Sequence, residues 1–443
     1  MSKVEIISIV SAGMMVLIAL RVPLGAAMFI AGAVGYGWIV GYLPLTNYLK
    51  GLFWARFSVY DLSVIPLFLL MGQFASIAGF SRSLFRAANA WIGWVKGGVA
   101  QAAIVACACF GAISGSSVAT AATMSQVVLP EMKRLKYSDR LATGTLAAGG
   151  TLGILVPPSF ILIIYSFLAE QSIIKLFAAA VVPGLLAAVL YMASISIYIR
   201  LYPGHAPEKS ERSVASRKEF IEATLEAWPI AAIFLVMFTG IYRGWFTATE
   251  GAAVGASSTL LLGIVRGKIN VSNALKGFLP AAQASAMIYT MLLGAAMMNT
   301  ALAVSQVPAD ISIWANSLNY HPLIIVSGFL ILFVVLSCIL DELAMMLLLL
   351  PVVLPTILGL DLFGMTVEHK AIWFGILMLV VVSVGLIAPP VGLAVYVVAN
   401  IAKTVPIGEI YRGIIPFLLS DIVRIILLLF FPALTLFAVR FVN

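Results

Sequence analysis

Two stretches decide how this chain folds: GGTLGILVPPS at 149–159 and SVGLIAPPVG at 383–392. Each sets glycines and then two consecutive prolines in the middle of an apolar run long enough to cross a bilayer. A proline removes one backbone donor and clashes with the carbonyl four residues earlier, so a pair unwinds the helix and frees carbonyls. Inside a membrane such backbone is tolerated only where protein buries it or it lines a wet cavity. In transporters, freed carbonyls and half-helix C-terminal ends meet cations, while N-terminal ends meet carboxylates. One proline kink reads as a bend. The same break in two distant segments reads as two related sites near the bilayer midplane.

Composition makes the bilayer the solvent. Of 443 residues, 62% are hydrophobic and 10% charged, against roughly 25% charged in an ordinary soluble domain. The net charge of +8 does not indicate nucleic acid, because the basic residues sit in short loops between apolar runs and form no stripe interleaved with aromatics. Cys107, Cys109 and Cys338 lie in apolar segments without metal-ligand spacing and read as packing residues. There is no GxxxxGK[ST] phosphate loop, no HExxH and no GxSxG, which removes the usual signatures of ATP hydrolysis and of an intramembrane hydrolase. The apolar run from residue 4 to 20 lacks a cleavage pattern and reads as a first span.

Around the two breaks the chain repeats itself. Leu24-Gly25-Ala26-Ala27 returns as Glu250-Gly251-Ala252-Ala253, and Leu49-Lys50-Gly51 as Leu275-Lys276-Gly277, in one register. Met71-Gly72 answers Leu293-Gly294, and Leu129-Pro130 answers Leu354-Pro355. The predicted first repeat covers 1–202, with an apolar stretch at 97–132 and the broken helix at 141–168. The second covers 228–443, with the corresponding stretch at 321–360 and the broken helix at 371–400. The polar segment 203–227 is expected to be a linker with an interfacial helix.

Each apolar stretch is long enough for one oversized span or for a re-entrant hairpin, and charge placement selects the hairpin. With each hairpin entering and leaving on one side, eighteen Lys and Arg fall on one face and seven on the other, with Arg424 inside a span. The positive-inside rule makes the richer face cytoplasmic. Each half then crosses five times, so the second is inverted relative to the first. The expected fold is an all-α polytopic membrane protein of two inverted repeats, each with five spanning helices and a hairpin. Both termini are expected on the periplasmic side.

The first hairpin turns at Ser114-Gly115-Ser116. Glycine permits the turn and the serines supply short oxygen ligands; alternatively Gly111 and Gly115 merely allow close helix packing. The second turns around Leu340-Asp341-Glu342-Leu343, two adjacent carboxylates in an apolar run. Burying either charge costs at least ~2.5 kcal/mol. They coordinate a cation or shape the field around a substrate, or else the tip reaches water and Asp341 caps the second arm. Asn299 and Thr300 offer substrate hydrogen bonds or glue between helices. Asp421 and Arg424, three apart in the last span, read as a neutralising pair or subunit contact.

The segments GAISGSSVATAA (111–122), LPEMKR (129–134), GGTLGILVPPS (149–159), VPGLL (182–186) and GLIAPPVGL (385–393) resemble the large permease subunit of tripartite ATP-independent periplasmic (TRAP) transporters, in order and over essentially the whole chain. The resemblance implies an elevator-type ion-transporter fold and sodium symport of an organic acid such as a C4-dicarboxylate, sialic acid or a sulfonate. It implies a periplasmic binding protein and a small four-helix membrane subunit, the latter a separate chain because only three residues precede the first apolar run. It places one sodium site among Ser114, Gly115, Ser116, Gly150, Thr151 and Pro157, and another among Asp341, Gly385, Ala388 and Pro389. The substrate is expected against Ser116, Ser117, Pro158 and Pro390, with Asn299 and Thr300. Two departures from the family pattern stand out: Thr120, where relatives often carry Asp, and Glu342 after Asp341. A stand-alone sodium- or proton-coupled anion symporter, without a binding protein, is the alternative reading.

Overall fold

The computed structural model describes residues 3–206, 216–318, 320–338 and 340–442, and these are helical with short connections. In the first half, α1 (Lys3–Ala19), α2 (Leu24–Val40), α3 (Tyr42–Phe57), α4 (Val64–Ile77) and α5 (Phe80–Ile92) lead to a helical hairpin of α6 (Gly98–Ser114) and α7 (Ser117–Arg134). The broken pair α8 (Asp139–Leu155) and α9 (Phe160–Leu168) follows, and then α10 (Ile173–Leu201). The second half runs α11 (Arg217–Tyr242), α12 (Ala248–Val265), α13 (Val271–Ser305) and α14 (Val307–Ser317) into a hairpin of α15 (Pro322–Ser337) and α16 (Glu342–Gly359). The broken pair α17 (Val367–Gly385) and α18 (Leu393–Ala402), α19 (Ile407–Phe430) and a short α20 (Pro432–Leu436) complete it. Among the described residues eight helices are long and apolar enough to cross a membrane, and the α8–α9 pair, bent by 43°, makes a ninth span.

From the hairpin onward the two halves share one element order, hairpin, broken pair and long helix, preceded among the described residues by five α-helices in the first half and four in the second, and they interlock by exchange. Helix α2 packs on α13 and α12 on α4; α8 packs on α19 and α17 on α10; α18 packs on α7 and α9 on α16. Two ion pairs repeat the same relation with charges swapped. Arg140, at the start of α8, reaches Glu409 at the start of α19 (2.9 Å), and Glu368, at the start of α17, reaches Lys175 at the start of α10 (2.5 Å). These pairs mark opposite faces of the molecule, because α10, about 43 Å long at 1.5 Å per residue, runs from one to the other.

Both hairpins open as the charge pattern requires. The end of α7 lies on the Arg140 face, where Lys133 approaches Asp139 (3.6 Å). The end of α16 lies on the Lys175 face, where Lys370 Nζ donates to the carbonyls of Leu358 (3.2 Å) and Leu360 (2.5 Å). The second half is therefore inverted relative to the first.

Several elements depart from the hydropathy reading. Helices α3, α5 and α14 fall between the expected spans. Helix α5 shows why: Phe80, Ser83, Phe85, Ala87 and Ala88 are buried while Arg82 and Arg86 are exposed, the two-faced pattern of a helix lying along the assembly. The expected boundary between an interfacial helix and a span at 228 is absent, since α11 runs through it. Its start is fixed by a capping box in which Ser216 and Glu219 exchange hydrogen bonds (3.2 and 2.8 Å). Residues 207–215 of the expected linker lie outside the described residues.

Candidate functional site

The first hairpin turns where the sequence supplies the residues for it. Helix α6 ends at Ser114, Gly115 takes a left-handed φ of +62°, and extended Ser116 caps α7, its hydroxyl accepting from the Ala119 amide (3.3 Å). The arms cross α8 through residues without side chains to interfere. A Cβ on Gly150 would lie 2.6 Å from Ala121 Cβ, one on Gly111 2.6 Å from Gly153 Cα, and one on Gly153 2.6 Å from both the Ser116 carbonyl oxygen and Thr120 Oγ1.

The tip thereby reaches the first break. A Cβ on Gly115 would sit 3.3 Å from the Pro158 carbonyl oxygen and 3.4 Å from the Phe160 amide. Ser114 Oγ bonds Thr120 Oγ1 (2.7 Å) and lies 3.4 Å from the Ser116 carbonyl. The result is a compact set of hydroxyl and carbonyl oxygens, closed off from bulk water, with Ser114 7% and Thr120 0% exposed. Hard cations take such oxygen ligands.

The second hairpin meets the second break in the same manner. Ser337, ending α15, packs against Gly385, ending α17, so closely that any side chain at 385 would overlap the Ser337 hydroxyl. Asp341 caps α16, accepting from the amides of Leu343 (2.7 Å) and Ala344 (3.4 Å). Past Ala388, the carbonyls of Pro390 and Val391 accept from the Tyr411 hydroxyl (3.1 and 2.8 Å). Both proline pairs, Pro157-Pro158 and Pro389-Pro390, contain a cis peptide bond. The breaks differ in setting: Pro157, Pro158 and Ser159 are buried, whereas Pro389, Pro390 and Val391 are exposed.

Between the hairpins two buried polar side chains face each other. The Glu342 carboxylate faces Ser117 of the other hairpin; Glu342 is 7% and Ser117 0% exposed. Among the described residues, neither Glu342 Oε2 nor Ser117 Oγ has a partner at hydrogen-bonding geometry, nor does Ser159 Oγ in the first break. Buried polar groups left in this state carry a penalty of ~1–3 kcal/mol unless something binds them. By contrast, the 520 Å³ cavity beside the first break is lined mostly by apolar residues, Ala108, Ile113, Val156, Pro157, Ile230 and Phe234 among them, with Tyr242 at its wall.

Ser114, Gly115, Ser116 and Pro158 thus lie at one contact, with Gly150 packed on Ala121 of α7 and Pro157 lining the apolar cavity; at its counterpart Ser337 meets Gly385, while Asp341 caps α16, Ala388 and Pro389 follow in the break, and Ser117 starts α7. Three hydroxyl or amide groups lie elsewhere. Thr151 turns its hydroxyl to the Ala148 carbonyl (2.7 Å) and Tyr191 Oη (3.2 Å), leaving only its backbone for the first site. Thr300 bonds the Ala296 carbonyl (2.8 Å) and Tyr48 Oη (2.8 Å), a tie between α13 and α3. Asn299 lines a separate small cavity with Arg56, Phe167, Leu168 and Tyr289. Thr120 was not among the expected ligands, although its place one turn after a capping serine is visible in the sequence. Glu342, expected with Asp341 to coordinate a cation or shape the field around a substrate, faces Ser117 of the other hairpin.

The sequence profile of the "Tripartite ATP-independent periplasmic transporter, DctM component" family matches residues 11–434. The chain belongs to this family. Relatives include the C4-dicarboxylate TRAP transporter large permease protein DctM of Pseudomonas aeruginosa, 33% identical over 379 residues, 85% of this chain and 86% of that protein. The sialic acid TRAP transporter large permease protein SiaM of Vibrio cholerae is 29% identical over 383 residues, 85% and 86% of the two chains. The isethionate TRAP transporter permease protein DctMQ of Oleidesulfovibrio alaskensis is 29% identical over 398 residues, 90% of this chain and 61% of that one. The crystal structure of the Alcanivorax borkumensis YdaH transporter superposes with a TM-score of 0.63 at 16% identity, covering 88% of each chain, and so shares the fold. Membership of the DctM family, together with the apolar spans, makes this a multi-pass inner-membrane transporter component.

Proposed function

We propose that this DctM family member is the large subunit of a sodium-driven TRAP transporter that carries an organic acid across the inner membrane by an elevator movement. The observation that carries the reading is the matched contact of hairpin tip and broken helix in both halves. At the first, Ser114 Oγ, Thr120 Oγ1 and the carbonyls of Ser116 and Pro158 converge, a donor set suited to sodium. On this reading the second cation is held by Asp341, Gly385, Ala388 and Pro389, where Ser337 of the second hairpin packs on Gly385. The acid would bind between the sites, against Ser116, Ser117, Pro158 and Pro390, where its negative charge is balanced by the bound cations and by the start of α7. Sodium bound at the tips would fasten each hairpin to its broken helix, so that hairpins and broken helices move as one body against the interlocked α2, α4, α12 and α13.

The relatives' names give a C4-dicarboxylate, sialic acid and isethionate, all acids, and this supports an organic acid as the substrate of this chain. By the same likeness, a periplasmic binding protein delivers the acid and a small four-helix membrane subunit completes the assembly; the loop charges put both termini of this chain on the periplasmic side. The test is uptake in proteoliposomes holding this chain, its small subunit and its binding protein. Uptake is expected only with an inward sodium gradient and all three proteins. Uptake that persists without sodium, or without the binding protein, would overturn the reading.

A further inference from the structure

A chain of side-chain hydrogen bonds and one ion pair crosses the middle of the molecule and joins the two broken helices. On the first, the Thr151 hydroxyl, also bonded to Ala148 O, meets Tyr191 Oη of α10 at 3.2 Å. Tyr191 gives its one hydroxyl hydrogen to Asp421 Oδ2 of α19 (3.0 Å), so the Thr151 hydroxyl hydrogen is shared between the Ala148 carbonyl (2.7 Å) and Tyr191 Oη (3.2 Å). Asp421 Oδ1 lies 2.8 Å from Arg424 Nη2. The same Arg424 nitrogen donates to Ser383 Oγ on the second broken helix (3.3 Å), and the guanidinium carbon lies 5.9 Å from the centre of the Tyr191 ring.

The arrangement obeys the repeat. Thr151 and Tyr191 are 40 residues apart, Ser383 and Arg424 are 41 apart, and α8 and α10 are the counterparts of α17 and α19. In each half, a hydroxyl near the C-terminal end of the broken helix is held by a long polar side chain of the next helix. The two holders then meet over Asp421, at the axis relating the halves. The pair is fully enclosed, Arg424 0% and Asp421 1% exposed, and Arg424 Nε and Nη1 have no partner among the described residues. Replacing a buried pair by apolar residues of similar volume is often neutral or stabilising, so stability alone gives little reason for this one. What it supplies is direction: it fixes two helix ends, two residues before Gly153 and two before Gly385, to one another.

We infer that Tyr191, Asp421 and Arg424 are positioning residues that couple the two cation sites, so that occupation of one sets the geometry of the other. The inference rests on the sodium-coupled reading above. The residues touch neither cation nor substrate. They act through Thr151 and Ser383, which lie on the two helix segments that face the hairpin tips.

The experiment is sodium-dependent uptake by the reconstituted assembly, comparing wild type with Tyr191→Phe, Ser383→Ala and the double variant Asp421→Leu/Arg424→Leu, with thermal unfolding measured in parallel. The Tyr191→Phe change removes only the oxygen, and the double variant leaves no unpaired charge. Wild type is expected to show a sodium Hill coefficient above 1. All three variants are expected to bring it toward 1 and to raise half-saturating sodium severalfold, with unfolding temperatures near wild type. An unchanged Hill coefficient in Tyr191→Phe and Ser383→Ala overturns the coupling role, whether or not their stability falls. Wild-type uptake indifferent to sodium would instead overturn the functional reading on which the inference stands.

Discussion

Replacing Gly153 by alanine tests whether the hairpin must touch the broken helix. The added Cβ would lie 2.6 Å from the Ser116 carbonyl oxygen and 2.6 Å from Thr120 Oγ1, whereas carbon and oxygen in close contact sit about 3.3 Å apart. The tip must therefore retreat by about 0.7 Å, more than the ~0.5 Å within which a binding constellation keeps its geometry. Overpacking of this kind costs ~1–3 kcal/mol. If the whole of it falls on the cation-bound state, half-saturating sodium rises about 5- to 150-fold. Gly51→Ala is the control, because nothing lies within 4 Å of its added carbon and alanine favours the helix by about 1 kcal/mol. Half-saturating sodium for uptake and the unfolding midpoint would be measured for both. If Gly153→Ala left half-saturating sodium within twofold of wild type, the argument from close contact would be wrong.

Other outcomes follow from the same structure. Arg424→Leu alone strands the Asp421 carboxylate in the core and should destabilise the protein by ~3–5 kcal/mol, read as a lowered unfolding midpoint; a midpoint unchanged from wild type would contradict the buried pair. Cysteine at Lys218, whose side chain is 86% exposed, should react with an impermeant reagent only from the cytoplasmic side, and cysteine at Lys50 only from the periplasmic side, in a background lacking Cys107, Cys109 and Cys338. Reversed labelling would invert the topology.

Much of the fold could be read from residues because its determinants are local. Tandem prolines terminate α8 wherever the rest of the chain lies, and Ser-Gly-Ser encodes both the turn and the cap of α7. Loop charges were enough to orient the hairpins because each hairpin returns to the face it left. Amphipathic α5 escaped a reading based on apolar length, since its buried face is completed by other helices. The candidate site was legible at its backbone positions and less so at its side chains. Thr151 and Ser383 lie at nearly equivalent places, yet their partners, Tyr191 and Arg424, are tens of residues away and are found only when the helices are packed. Thr300 lies in an apolar helix as a ligand would, but α3 supplies Tyr48 to claim it.

The claim that sodium is held where the first hairpin meets its broken helix is tested most directly by the sodium dependence of uptake in Ser114→Ala. Removing one hydroxyl from a cation's ligand set forfeits ~1.5–3 kcal/mol, so half-saturating sodium should rise at least tenfold while the rate at saturating sodium stays near wild type. Half-saturating sodium equal to that of wild type would contradict the account.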